Sequence, residues 1–386
     1  MRRDEADRMF RDFLGGAMDR RSFVTRLLAA GASATAVATL LEACGGGAEQ
    51  PAPEAPKPDA PPADPSDLGE PGAELSIYNW SDYIAEDTVA LFEKETGIKV
   101  TYSTYESNEE MMAKLQIGAG GYDLVVPTGY IVTVLAAQNL LAPLSKKYLT
   151  NLGNVAPMFV NPQYDPDGKF AVPWLWGTTG IAYRSDKVNP APDSWGVFLD
   201  AKYKGKMTMM DDQRDVIGSW LKYRGKSLNS TDPADLAQAK TDAVASKGNL
   251  KAYLSAPVKG QLATGDVWIA QLWDGDTAQA RAEEASIAYA LPKEGAGIWT
   301  DSLVIPASAP HKRAAHEFMN FILRPEIAAG IANTTGYGTP NAQAADKLAV
   351  PVPYPTAEQL ARLEYQKDLG MANEAWDLLW TEIKSG

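Results

Sequence analysis

Leu75-Ser76-Ile77-Tyr78-Asn79-Trp80-Ser81-Asp82-Tyr83 is the stretch whose reading decides the fold. Leu75–Tyr78 is a short strand-like run, and Ala85, Val89 and Phe92 beyond it recur at helical spacing. Tyr78–Tyr83 therefore sits where a strand ends and a helix begins. In an open α/β sheet, ligands bind in the crevice outside the carboxyl ends of the strands. Three aromatics among Asn, Ser and Asp suit a flat or slender organic ligand. An ordinary strand-to-helix turn with locally packed rings has the same composition, so the choice depends on whether such tips recur.

Downstream, Gly97 stops the first helix, and Ile98–Tyr105 is a second strand with Ile98, Val100 and Tyr102 alternating. Ser107 with Glu110 reads as a capping box, ahead of inward Met111 and Leu115. Tyr122–Pro127 is a short buried strand with Thr128-Gly129-Tyr130 at its tip and a helix from Ile131. Strand and helix alternating three times predict an α/β lobe with a mainly parallel sheet. Gly118-Ala119-Gly120-Gly121 precedes its strand and is a turn, not a dinucleotide loop.

The aromatic-rich run Ala171–Tyr183 reads as a strand crossing into a second lobe. Strands over Lys206–Met210, Asp266–Gln271 and Ile287–Leu291 build that lobe, and Gly297–Pro306 crosses back. Residues 227–249 read as a polar surface insertion plus helix. Further helices are expected over 316–323, 325–330, 357–368 and 372–384, with Leu360, Leu363, Trp376 and Leu379 inward. No repeat is evident in the sequence.

The chain has 386 residues, 45% hydrophobic and 22% charged, which is long enough for two lobes with cores of their own. Its net charge of -13 argues against nucleic acid and is compatible with a cationic small molecule. The single cysteine excludes an internal disulfide and a cysteine zinc cluster, and two histidines exclude a histidine-rich metal site. Both His311 and His316 read as surface residues. No metal and no cofactor is expected.

Residues 1–44 read as export sequence: Arg20-Arg21-Ser22-Phe23-Val24, an apolar Ala-rich run from Leu27 to Leu41, then Leu41-Glu42-Ala43-Cys44. The segment resembles a twin-arginine signal joined to a bacterial lipobox, which implies lipidation at Cys44. An uncleaved membrane-anchored helix is the alternative. Residues 45–73, with eight prolines among Ala, Gly, Glu and Asp, read as an extended linker that lifts the body off a membrane.

Four tips repeat one chemistry, rings near carboxylates: Trp80 and Tyr83 with Asp82; Asp212 and Asp215 ahead of Trp220; Trp273 with Asp276; and Trp299 with Asp301. Tyr130 and Tyr337 add rings at two further turns. Ring faces attract cations by about 0.5–2 kcal/mol each, carboxylates accept charge-assisted bonds from N–H donors, and rings cover methylene groups at about 0.8 kcal/mol per CH₂. Such a cleft suits an organic ammonium.

From residue 74 onward the body resembles the bacterial periplasmic polyamine-binding proteins, the spermidine/putrescine receptors of ABC importers. The resemblance is carried by Tyr78–Tyr83, Phe92–Val100, Tyr102–Glu109, Tyr122–Pro127, Trp299–Leu303 and Gly336–Asn341. It implies a two-lobed periplasmic-binding-protein fold with crossing segments and a central ligand cleft. Lobe one would comprise residues 74–177 and 301–344, lobe two 178–300 and 345–386. It implies ring contacts from Trp80, Tyr83, Tyr130, Trp273, Trp299 and Tyr337. Asp301 would meet one amine, with Asp212 and Asp215 toward the other end, while Asp276 looks like the putrescine-preferring members. Ser81, Thr128, Ser255 and Gln366 would supply the polar complement. Four acidic positions favour the triamine spermidine slightly over putrescine. The expected partners are a polyamine, the permease of an ABC transporter and a membrane gripped through Cys44, with a monomeric body on the extracytoplasmic face. Two other readings stay open: a receptor for another organic cation or an amino acid derivative, and, remotely, a glycosidase with paired carboxylates. No nucleophile with an aligned base is evident.

Overall fold

Strand β1 (Glu74–Trp80) does run into the quoted tip, two residues further than its apolar run suggests. The computed structural model describes residues 67–117, 121–255, 258–349 and 355–385. The export segment with Cys44, most of the linker and Gly118–Gly120 lie outside the described residues. After β1 come α1 (Thr88–Thr96), β2 (Lys99–Tyr105), α2 (Asn108–Gln116), β3 (Leu124–Val125) and α3 (Gly129–Ala137). β1 lies between β2 and β3 and runs parallel to both. Leu75 and Ile77 face a core with Phe92 and Phe318, while Tyr78 joins Tyr105, Met111 and Val125 on the other face. A parallel sheet covered on both sides needs that two-sided burial.

Gly97, at φ +76°, ends α1 in the left-handed cap that glycine adopts without a Cβ penalty. The expected capping box at α2 is half formed. Ser107 Oγ accepts the Glu110 amide at 3.1 Å, but the Glu110 carboxylate accepts from the Glu106 amide at 3.2 Å and from the Tyr78 hydroxyl at 2.9 Å.

The long strand β4 (Ala171–Arg184) leads into β5 (Met207–Met209), α4 (Gln213–Tyr223), α5 (Pro233–Lys247), β6 (Leu250–Tyr253), α6 (Val258–Thr264), β7 (Ile269–Trp273), α7 (Asp274–Glu283) and β8 (Ile287–Ala290). The return strand is β9 (Gly297–Val304). Helices α8 (Lys312–Ile322) and α9 (Pro325–Thr335) follow, then α10 (Ala357–Leu360), β10 (Glu364–Tyr365) and α11 (Asn373–Ser385).

The strand order is β2-β1-β3-β9-β4-β7-β5-β6. β4 makes the join: Ala171–Thr178 pairs with β9, and Thr179–Tyr183 pairs with β7. The two ends of this order mirror each other. In one lobe β1 lies between β2 and β3 with antiparallel β9 beside β3; in the other β5 lies between β6 and β7 with antiparallel β4 beside β7. The second lobe's core gathers Ile181, Trp195, Phe198, Met207, Trp220 and Ile269, and takes in Trp376, Leu379 and Ile383 of α11.

Four expectations need correction. The segment 357–368 is not one helix: α10 ends after four residues and β10 pairs with Gly297 and Ile298. Leu360 is exposed as a result. Residues 227–249 are less superficial than their polarity suggests, since α5 buries Leu236, Ala239 and Ala243. His316 is buried at 1% exposure, not a surface residue. Its Nε2 accepts the Ser145 amide at 2.9 Å and its Nδ1 donates to the Lys312 carbonyl at 2.7 Å. Both ring nitrogens are used in the neutral form, and burial pushes its pKa down.

Candidate functional site

A narrow cavity of about 80 Å³ lies where the strand tips of the two lobes meet. One lobe brings Trp80 from the end of β1, Ser81, Asp82 and Tyr83 from beyond it, Glu106 and Asn108 from beyond β2, and Thr128 and Tyr130 from beyond β3. The other brings Asp212 and Asp215 from beyond β5, Trp273 from the end of β7 and Asp276 from beyond it. Trp299 and Asp301 enter from β9, Tyr337 from the loop after α9, and Gln366 from the segment after β10. The mirrored sheets explain this convergence: parallel strands put their carboxyl ends on one side, and each lobe presents that side to its counterpart.

Alternation along β9 sorts its side chains. Trp299 and Asp301 face the cavity, while Ser302 turns away to bond Tyr164 Oη at 2.9 Å. Gly177, opposite Trp299, makes the room: a Cβ there would lie 2.6 Å from the indole Cζ2. Gly275 does the same for Tyr337, whose ring would lie 2.3 Å from an added Cβ. Tyr337 meets Tyr83 edge-on at 5.0 Å and Trp299 at 5.4 Å, forming an aromatic wall. Trp80 and Trp273, from opposite lobes, approach to 6.4 Å. Trp220 stands outside this set, fully buried in the second core.

The carboxylates are held differently. Asp301 Oδ2 accepts from Tyr83 Oη at 2.8 Å. Its Oδ1 is buried without a hydrogen bond of ordinary geometry, with the Thr128 side chain beside it. Burial pushes Asp301 up to about 7. Asp215, in the first turn of α4, accepts from Thr179 Oγ1 at 3.0 Å, Gln366 Nε2 at 3.3 Å and Trp273 Nε1 at 3.3 Å. Burial, then the neighbouring Asp212, pushes it up to about 7. Asp212 caps α4 by accepting the Asp215 amide at 2.9 Å and is itself raised by burial. Asp276, in the first turn of α7, accepts from Tyr337 Oη at 2.7 Å and is likewise raised by burial. Helix N-termini favour these carboxylates, yet desolvation dominates. Carboxylates left this short of water are poised for an ammonium.

Thirteen of the fourteen expected ligand-facing residues line the cavity; Ser255 does not. Its hydroxyl accepts the Asp211 amide at 3.2 Å, so it ties down the loop beneath Asp212 instead. Asp82, Glu106, Asn108 and Lys259 also line the cavity. Asn108 was missed, although its place just beyond β2 could have marked it, and it bonds Thr128 Oγ1 at 3.1 Å and Tyr130 Oη at 3.4 Å. Glu106 accepts from Ser81 Oγ at 2.6 Å. Nothing in the sequence around Lys259 marks it. Among the described residues, no group of three or more His, Cys, Asp and Glu is placed to hold a metal ion.

The chain matches the family of bacterial extracellular solute-binding proteins over residues 87–361. It is 37% identical over 319 residues to the spermidine/putrescine-binding periplasmic protein of Escherichia coli (strain K12), covering 81% of this chain and 92% of that one. It is 36% identical over 330 residues to the putrescine/cadaverine-binding protein of Pseudomonas aeruginosa, covering 81% and 93%. Among solved structures, a spermidine/putrescine ABC transporter substrate-binding protein from Streptococcus pneumoniae is similar with a TM-score of 0.71 at 33% identity, covering 81% and 99%.

Proposed function

From the premise that this chain belongs to the bacterial extracellular solute-binding proteins, we propose that it is a polyamine receptor that delivers its ligand to an ABC importer. The observation that carries the reading is the Asp301 carboxylate: walled by Trp299, Tyr83 and Tyr337, with one buried oxygen lacking an ordinary partner. Six carboxylates against one lysine line the cavity, and the rings between them cover an alkyl chain. The relatives' names, spermidine/putrescine and putrescine/cadaverine, support the same chemistry. Ligand bridges the lobes and draws the open–closed population toward the closed form, which the permease reads. No catalysis is part of this reading. The protein works outside the cytoplasm, held to a membrane by a lipid on Cys44.

Calorimetric titration with putrescine, cadaverine, spermidine and spermine tests it. At least one binds the wild type, and Asp301→Asn weakens that ligand by about tenfold or more, the roughly 1.4 kcal/mol a charge-assisted bond supplies. No heat with any of the four ends the polyamine reading. Unchanged affinity in Asp301→Asn takes Asp301 out of the site.

A further inference from the structure

Lys259, near the start of α6, is the one cation among the described residues that lines the cavity. Its Nζ reaches across the lobes to Asp82 Oδ2 at 3.0 Å. Within its own lobe it donates to Gln279 Oε1 at 2.9 Å and stands 3.9 Å from Asp276 Oδ1. The side chain is only 19% exposed, so the ammonium is enclosed in the cavity wall and does not wave in solvent. Its partner within the lobe is built to receive it. Gln279 is fixed by its own bond to the Thr335 carbonyl at 2.7 Å. Asp82 is held at φ +53°, a left-handed conformation a non-glycine residue enters at a cost, and its carboxylate, 73% exposed, meets Lys259 from the other lobe.

The corner between Asp82 and Asp276 is therefore already occupied by a protein ammonium. Asp276 is further engaged by Tyr337 Oη. Arg214, the nearest other cation to the acidic pair, does not fill their position in the same way. Its guanidinium lies 5.0 Å from the centroids of both Tyr130 and Trp376, and donates to Asn229 Oδ1 and the Lys367 carbonyl.

Resting on the polyamine reading, we propose that Lys259 is a built-in ammonium that limits the charge a ligand brings. By filling the Asp82–Asp276 corner it leaves ammonium positions at Asp301 and at the Asp212/Asp215 pair, and so selects a short diamine over a triamine. The acidic count in the sequence points toward a triamine; Lys259 takes one of those positions away.

The test is calorimetric titration of putrescine and spermidine into the wild type, Lys259→Met, and Lys259→Met with Asp276→Asn. The wild type binds putrescine more tightly. Lys259→Met shifts the affinity ratio toward spermidine by about tenfold or more, and adding Asp276→Asn cancels the shift, as two coupled groups require. Lys259→Gln, which keeps a polar tip for Gln279, gives the same answer by a second route. A ratio that moves by less than about threefold in both variants, or a shift that survives Asp276→Asn, overturns the proposal. A wild type that binds polyamines with a ratio indifferent to Lys259 sinks only this inference. A wild type that binds neither amine sinks the receptor reading as well.

Discussion

Asp301 and Asp215 are held near a titration point, and this makes the site respond to pH. Burial brings each to about 7, well above the ordinary aspartate value of about 3.9. A carboxyl whose pKa is raised on folding favours the fold in its neutral form. Its contribution is full below the unfolded pKa and is lost as pH rises through the folded one. An ammonium ligand does the opposite, since it stabilises the charged form and expels the proton. The thermal shift given by a saturating diamine should therefore be larger at pH 8 than at pH 5.5. Calorimetry should show protons released on binding near pH 7. A ligand-induced shift that grows toward acid pH would mean that these carboxylates do not meet the amine.

At the same scale, rings and carboxylates at strand tips were legible because such residues have few structural reasons to be there. Lys259 was not, because a lysine near the start of a helix reads as solvated; only the fold brings Asp82 across to it. Ser255 was named from family likeness, and its hydroxyl is spent on the Asp211 backbone. The Glu364 carboxylate, beside Gln366, holds Lys222 Nζ at 2.9 Å and Ser227 Oγ at 2.8 Å.

The elements follow from alternation where burial is simple. β4 was visible as a long aromatic run, and all but one of its fourteen residues are buried. The stretch after α10 was not visible, because Leu360 and Leu363 at helical spacing also suit a turn followed by an edge strand. Pairing of Glu364 with Gly297 outweighs the local preference. Gly177 gives the sharpest element-scale expectation. An added methyl group there collides with Trp299 and with Asp274 Oδ1, 2.4 Å away. Gly177→Ala should lower stability by about 1–3 kcal/mol, as overpacking does, and should weaken amine binding because the Trp299 ring must move. Thermal melts with calorimetry check both; a stable variant with native affinity would show that the ring is placed by something else.

At the scale of the whole molecule, the mirrored strand orders show a twofold plan that no sequence repeat announces, since only strand order and burial are shared between the halves. The two crossings could be read from the chain because both are apolar and aromatic. The proposed anchor is tested separately from the body. Cys44→Ala should move the protein from the membrane fraction to the soluble fraction of cells, with its ligand affinity unchanged; continued membrane retention would point to a different tether.

Trp299 lies within two residues of the place where β9 changes lobes, opposite Gly177 and one step from the Ile298–Thr178 pair. Any parting of the lobes that bends the backbone at that joint would carry the indole with it. On the receptor reading, unclasping and eviction would then be one stroke, since parting the lobes would pull the floor from under a bound amine.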